Sequence, residues 1–258
     1  MRTLSAPARN LTADDDAVRT HLAGLRLDPR SANPPGWRVD WEDGPWPVTV
    51  RAGGARLPLR GGSGDPLMDR VDRLLRGTFA LGRVRFDPRG GLPATPEDPL
   101  PRHRGPRVTA RRPIPSGGSM YPTEAYLLLA GPDRLCHHDP YRHELLDLGH
   151  PAPSAAVWAA VGDGPPAPAL LVLTHRFWKN FYKYGEFAYR LGAVDVGVAL
   201  GRALRLGAAA FGRARLYPDL DDDALAACLG VDPADEGPYA AVALGTGGGP
   251  PWTAPVWG

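Results

Sequence analysis

Apolar positions change period several times along the chain, and each change marks an element. In residues 14–27, "DDDAVRTHLAGLRL", acids come first and apolar side chains follow at helical spacing. This predicts a short helix with its carboxylates at the positive end of the dipole. Alternation in "WPVTVRAGGARLPL", 46–59, predicts two short strands around a Gly-Gly turn. From Asp65, "DPLMDRVDRLLRGTFAL" starts with Asp-Pro and carries one stripe of Leu67, Val71, Leu74, Leu75 and Phe79, a helix by start signal and by period. "EAYLLLAG" and "PALLVLTH" are short continuous apolar runs, the pattern of buried strands, and "RLCHHDPYRHELLDLG" between them has a hairpin pattern with Asp139-Pro140-Tyr141 at the turn.

Further on, a helix is predicted from about Lys183 to Ala210. Its glycines Gly192, Gly197 and Gly201 each cost about 1 kcal/mol relative to alanine, a cost that close packing against another helix or subunit would offset. "ARLYPDLDDDALAACLG" predicts a short helix capped by its aspartates and ended by Gly230, and "YAAVALG" a final strand. Strands and helices alternate along the chain, which gives a mixed α and β class without fixing strand order. Residues 1–64 read as an N-terminal extension and 65–258 as one domain.

Composition narrows the picture. Glycine (32) and proline (30) make up about a quarter of the 258 residues and crowd into 31–66, 88–118, 149–168 and 245–258, the predicted loops. The stretch up to Arg112 is too long for an ordinary connection, so a lid or partial disorder is expected there. A formal charge of +2 gives no nucleic-acid or polybasic membrane signature. No apolar signal segment or spanning run occurs, so a cytoplasmic protein is expected. Cys136 and Cys228 fit no metal spacing and read as buried thiols rather than a disulfide. His137 and His138 are strand neighbours on opposite faces, so only one could join His143 at a metal. Surface hairpin histidines are the expectation, with no metal.

Two motifs carry chemistry. In "PSGGSMYP" the glycines remove side chains where a flat or anionic ligand would meet main-chain amides, although a tight turn before a strand explains the same residues. In "FWKNFYKYGEFAYR", Lys183, Glu186, Phe187 and Arg190 share one helix side, Glu186 can pair with Arg190, and Tyr184 projects about 100° away. A lysine and a tyrosine in an aromatic cluster can have their pKa values drawn toward neutrality and act as general acid or base. A solvated amphipathic helix is the plainer alternative.

Taken in order, "RRPIPSGGSMYPTEAYLLL", "CHHDPYRHELLDLG", "KYGEFAYR" and "GVALGRALRLGAAAFG" resemble the SagB-type dehydrogenases of the nitroreductase superfamily, from about Asp65 to Gly245. The resemblance implies an α+β homodimer with a central mixed or antiparallel sheet flanked by helices. FMN would lie at the subunit interface, and the long central helix would pack on its partner through Gly192, Gly197 and Gly201. It implies that Pro115, Ser116, Gly117, Gly118 and Ser119 lie along the flavin, that Arg112 and Ser116 bond to it, and that Arg190, Arg215 and Leu216 also line the cofactor. The implied reaction oxidises thiazolines or oxazolines of a modified peptide to thiazoles or oxazoles, with dioxygen reoxidising the flavin and Lys183 and Tyr184 as base and partner.

Departures are visible: Phe187 stands where relatives often have arginine, "SGGSMYP" replaces the common "SAGALYP", and no Arg-Ser-x-Arg segment is present for the FMN phosphate. Arg60, Arg111 and Arg215 are the candidates for that role. A precursor peptide is the implied substrate and a cyclodehydratase the implied partner. A carrier-bound non-ribosomal thiazoline is a further possible substrate. Trp37, Trp41 and Trp46 form either a contact surface or, the preferred expectation, core cover. Competing readings are an NAD(P)H-dependent nitro or quinone reductase and a flavin-free scaffold.

Overall fold

The computed structural model describes residues 13–28, 33, 36–40, 43–46, 49, 51, 54–87, 107–149, 154–162 and 167–245. In chain order these form α1 (Ala13–Leu27), β1 (Arg56–Pro58), α2 (Pro66–Thr78), β2 (Arg83–Asp87), β3 (Arg107–Arg111), β4 (Thr123–Leu129), β5 (Arg134–Asp139), β6 (Glu144–Asp147), α3 (Ser154–Val161), β7 (Ala169–Arg176), α4 (Trp178–Tyr184), α5 (Phe187–Phe211), β8 (Ala214–Tyr217), α6 (Asp222–Leu229) and β9 (Glu236–Leu244). Seven strands make one sheet in the order β1-β6-β5-β4-β7-β9-β8, and every neighbouring pair is antiparallel.

β4 and β7 are continuous apolar runs because both of their faces are covered. Side chains alternate across a strand, so Ala125, Leu127, Leu129, Leu171 and Leu173 share one face, packed with Val71, Leu74 and Leu75 of α2 and Val196, Ala199 and Ala203 of α5. Tyr126, Leu128, Leu170 and Val172 point the other way, against Val157 and Val161 of α3 and Leu225 and Leu229 of α6. Each such leucine contributes about 1.5–3 kcal/mol on burial. Both expected caps form. Asp65 accepts from the amides of Leu67 and Met68 ahead of Pro66, and Asp221 accepts from Ala224 while Gly230 closes α6 in the left-handed conformation.

Several expectations need correction. The region expected to be a loop at 149–168 contains α3, since the apolar run Ala155–Ala160 buries one side on the sheet despite its proline and glycine flanks. The stretch before Arg112 is partly a two-stranded ribbon, β2 pairing antiparallel with β3, while 88–106 lie outside the described residues. Of the two strands expected over 46–59, β1 forms at the sheet edge on β6, and 47, 48, 50, 52 and 53 lie outside the described residues. Cys136 is buried but Cys228 is half-buried, and both are free thiols. Trp37 is half-buried and Trp46 is 80% exposed, so Trp46 does not cover the core; Trp41 lies outside the described residues.

The long helix divides. Gly185, at φ +54° and ψ −140°, ends α4 and lets α5 start in a new direction. A side chain at that φ is strained, and a Cβ on Gly185 would stand 2.2 Å from Asn33 Oδ1. Gly185→Ala should therefore lower stability by about 1–3 kcal/mol, seen as a lower urea midpoint with an unchanged slope. An unchanged midpoint would show that the break tolerates a side chain.

Candidate functional site

The turn from Ser116 to Tyr121 forms a half-buried ledge before β4 that is exposed at Gly118. Gly117–Ser119 make one 3-10 turn, closed by the Ser119 amide on Ser116 O (3.0 Å) and the Met120 amide on Gly117 O (3.2 Å). Gly118 is left-handed at φ +57°, and Ser119 and Tyr121 adopt φ values of +61° and +50°, a cost for non-glycine residues that surrounding contacts must outweigh.

One such contact is Asp195 of α5, 5% exposed: the Ser116 hydroxyl donates to its Oδ2 (2.7 Å) and the Gly117 amide to its Oδ1 (2.9 Å), while the Tyr121 amide donates to Ser116 Oγ (2.9 Å). The other is Lys179 of α4, whose ammonium donates to Tyr121 O at 3.0 Å.

The two sequence motifs meet here. A Cβ on Gly118 would stand 2.1 Å from Tyr184 Oη and 2.9 Å from Lys183 Nζ, so glycine is what lets the pair approach the ledge. Lys183 Nζ also lies 5.2 Å from the centre of the Tyr184 ring. Arg112, Pro115, Ser116, Gly117, Gly118, Ser119, Lys183 and Tyr184 are thus in one region.

Lys179 belongs to the region too, and the sequence reading passed over it one helical turn before Lys183. It is 1% exposed and pairs with Glu124 of β4 (3.5 Å), itself 2% exposed. Glu124 also takes the Thr49 hydroxyl (2.8 Å) and lies 3.3 Å from His137 Nε2. Burial alone would raise the Glu124 carboxyl, but Lys179, His137 and Arg112 outweigh it and hold it well below the usual range. Burial draws Lys179 down to about 8 against the pull of Glu124. Glu236 of β9 holds a second network with the Tyr126 hydroxyl (2.7 Å), the Thr174 hydroxyl (2.6 Å) and Arg51 (3.6 Å).

The assigned arginines Arg112 and Arg190 are already engaged. Arg112 is 8% exposed, bonds to Thr123 O (3.3 Å) and lies on the Tyr121 ring, so its guanidinium is not presented on the ledge. Arg190 donates to Leu25 O of α1 (2.9 Å), and Glu186 faces His21 (3.4 Å). The expected Glu186–Arg190 pair is not found among the described residues, because α1 takes both side chains. Lys183 lies on α4, so it shares no helix face with Phe187 and Arg190 of α5. Arg60 and Arg111 are exposed.

Arg215 and Leu216 sit on β8. Arg215 pairs with Ala243, which pairs with Leu170 and so aligns with Leu128. That puts it five residues up the sheet from Thr123 and three strands across, roughly 20 Å away at ~3.3 Å per residue and ~4.8 Å per strand.

Gly192 packs inside the chain rather than on a partner: its Cβ would stand 2.6 Å from the His175 ring. The hairpin histidines are also buried, His137 at 2% and His138 at 1%, and it is His138 that meets His143 (3.2 Å). Among the described residues no three His, Cys, Asp or Glu side chains are placed to share a metal ion, and no helix is long and apolar enough to cross a membrane.

The fold these residues sit on is nitroreductase-like, an α+β architecture with a large antiparallel sheet. No protein-family profile and no curated protein matches the chain. Several solved structures do, three of them as follows. A candidate nitroreductase from Anabaena variabilis shares 21% identity at TM-score 0.71 over 87% of this chain and 45% of its own, so this chain spans less than half of that protein. The Escherichia coli microcin synthetase McbBCD complex with truncated pro-MccB17 bound gives 19% identity and TM-score 0.54 over 88% of this chain and 82% of the matched one. A candidate nitroreductase from Ralstonia eutropha gives 21% and 0.50 over 83% and 91%.

The end of the sheet that carries the ledge is sensitive to acid. His175 is 2% exposed, and burial, with Lys179 nearby, holds its imidazole down at about 4; burial likewise keeps His138 well below its ordinary value. As pH falls from about 6.5 to about 4 the unfolded chain binds a proton at His175 that the folded chain does not. Stability is therefore lost across that window, by up to roughly 3 kcal/mol from this group. Protonation of Glu124, held low in the fold, removes more below about 4.5. Thermal midpoints should fall steadily from pH 7 to pH 4, and His175→Gln should flatten the upper part of the curve. A midpoint constant over that range would contradict the burial of a neutral His175.

Proposed function

We propose that the protein is an FMN-dependent dehydrogenase that oxidises thiazoline or oxazoline rings of a modified peptide to thiazoles or oxazoles. The observation that carries this reading is the meeting of the left-handed Gly118 ledge with Lys183 Nζ and Tyr184 Oη. An exposed backbone ledge without a side chain suits the flat isoalloxazine ring, and Pro115, Ser116, Gly117, Gly118 and Ser119 would hold it. For the phosphate, among the described residues, Arg112 and Arg190 are already engaged and Arg215 lies at the far end of the sheet, while Arg60 and Arg111 are exposed.

Bound FMN would supply the two-electron acceptor for the ring hydrogen that leaves with its electron pair. The chain's own part is proton transfer and placement. Lys183 and Tyr184 flank one point of the ledge, so a ring carbon held there can lose its proton to one of them while the other hydrogen-bonds to it. Their backbone is set by the Gly185 break and by Lys179 one turn earlier on α4, which places both groups on a short rigid helix.

A peptide substrate and a cyclodehydratase partner belong to the same proposal, supported by the shared fold of a synthetase complex that holds a peptide. So does the homodimer. Gly197 and Gly201 have open space where a Cβ would stand, with Val194 (54%) and Val198 (37%) exposed beside them on α5. A nitro or quinone reductase would use the same ledge but not the Lys183–Tyr184 pair.

Purified protein should be yellow, or become so with FMN, and should remove two mass units per ring from a thiazoline peptide in air. Lys183→Ala and Tyr184→Phe should keep the flavin spectrum and lose at least a hundredfold in azole formation. Flavin binding with NADPH-dependent nitroaromatic reduction and no mass change would replace this reading with the reductase, and absence of flavin after reconstitution with the scaffold.

A further inference from the structure

We propose that Asp195 is the positioning residue that decides which amide of the ledge is offered to a ligand. It rests on the flavin-site reading for the identity of that ligand, but not for the clamp itself. Four consecutive amides run along the turn, Gly117 to Met120. Asp195 Oδ1 takes that of Gly117, Ser116 O that of Ser119, and Gly117 O that of Met120. Among the described residues the amide of Gly118 alone of the four has no hydrogen-bond partner, and Gly118 is exposed.

The carboxylate does this from beneath. It is buried on α5 one turn beyond Leu191, whose side chain lies where a Gly117 Cβ would stand (2.5 Å). Its second oxygen fixes the Ser116 hydroxyl, which then accepts from Tyr121 and closes the turn. With both oxygens engaged, the turn cannot rotate its Gly117 amide outward without leaving a buried carboxylate short of a donor, which is costly. The Gly118 amide is left as the donor for an acceptor atom on a flat ligand lying on the ledge, beside Lys183 and Tyr184. Asn in place of Asp can keep both contacts, its Oδ1 accepting from the Gly117 amide and its N–H donating to Ser116 Oγ, whereas Ala or Leu removes both.

Hydrogen exchange of the flavin-free protein, followed at the Gly117 and Gly118 amides, tests the clamp, and quenching of free FMN fluorescence tests its consequence. In the unaltered chain Gly117 should exchange at least tenfold more slowly than Gly118. In Asp195→Ala and Asp195→Leu that difference should vanish and the Kd for FMN should rise at least tenfold, while Asp195→Asn, which can keep both contacts, should retain the slow Gly117 amide and the affinity. Ser116→Ala, which keeps the bond to Gly117, should retain the slow amide. Equal exchange of the two amides in the unaltered chain, or an Asp195→Ala or Asp195→Leu variant with both slow exchange and FMN affinity intact, would overturn the proposal. If the unaltered chain takes up no flavin yet shows the exchange pattern and its loss in Asp195→Ala and Asp195→Leu, the clamp stands and the flavin reading falls.

Discussion

The buried ion pair between Glu124 and Lys179 is the contact on which this end of the protein turns. Two charges at 2% and 1% exposure are expensive to desolvate, and the expense is met only because each finds more than one partner. Lys179 reaches the Tyr121 carbonyl, so the helix that carries Lys183 and Tyr184 is tied to the end of the Gly117–Ser119 turn. Glu124 reaches Thr49 and His137, so the same charge ties the strand that follows the ledge to the segment ahead of α2 and to β5. Removing either charge would strand the other in the interior, and the ledge, the helix and the covering segment would lose their common reference point.

That arrangement explains a division within the sheet. One end of the face that α3 and α6 cover is apolar, built from Leu128, Leu170 and Ala243. The other end carries Glu124, Tyr126, Thr174 and His137. A polar end demands polar cover, and Thr49 and Arg51 provide it with hydroxyl and guanidinium groups rather than methyls. Thr49 and Arg51, both ahead of Asp65, therefore act as a lining for the polar half of the sheet.

Much of this was legible in the sequence where a local signal was complete. The Asp65-Pro66 start, the Asp139-Pro140-Tyr141 turn, the Asp221 cap with Gly230, and the apolar runs of β4 and β7 each state their structure within a few residues. What escaped depended on partners far away in sequence. A glycine following Lys183-Tyr184 looks like one more tolerated helix glycine, and only its φ of +54° and ψ of −140° in the folded chain show it to be a break. Arg190 looks available until α1 lies across it.

The histidines look exposed because hairpin turns are polar, yet register places His137 beside Tyr126 and Glu124 in the interior. Lys179 and Asp195 had a faint signal: a charge among Trp178, Asn180 and Phe181 in one case, and an aspartate between Val194 and Val196, the sole carboxylate of its glycine-bearing helix, in the other. Charges in such company are seldom there for solubility.

The position of Arg51 also sets an order of assembly. Its carboxylate partner, Glu236, opens β9, and its contact with the Gly230 carbonyl spans 179 residues. Loop closure over such a distance is entropically unfavourable until intervening contacts have shortened it. On the ribosome the segment bearing Arg51 emerges early, yet its ion pair cannot form until nearly two hundred further residues have been made. The polar end of the sheet must then be the last part to close, and a nascent chain arrested before β9 would carry Tyr126 and Thr174 without the carboxylate that joins them.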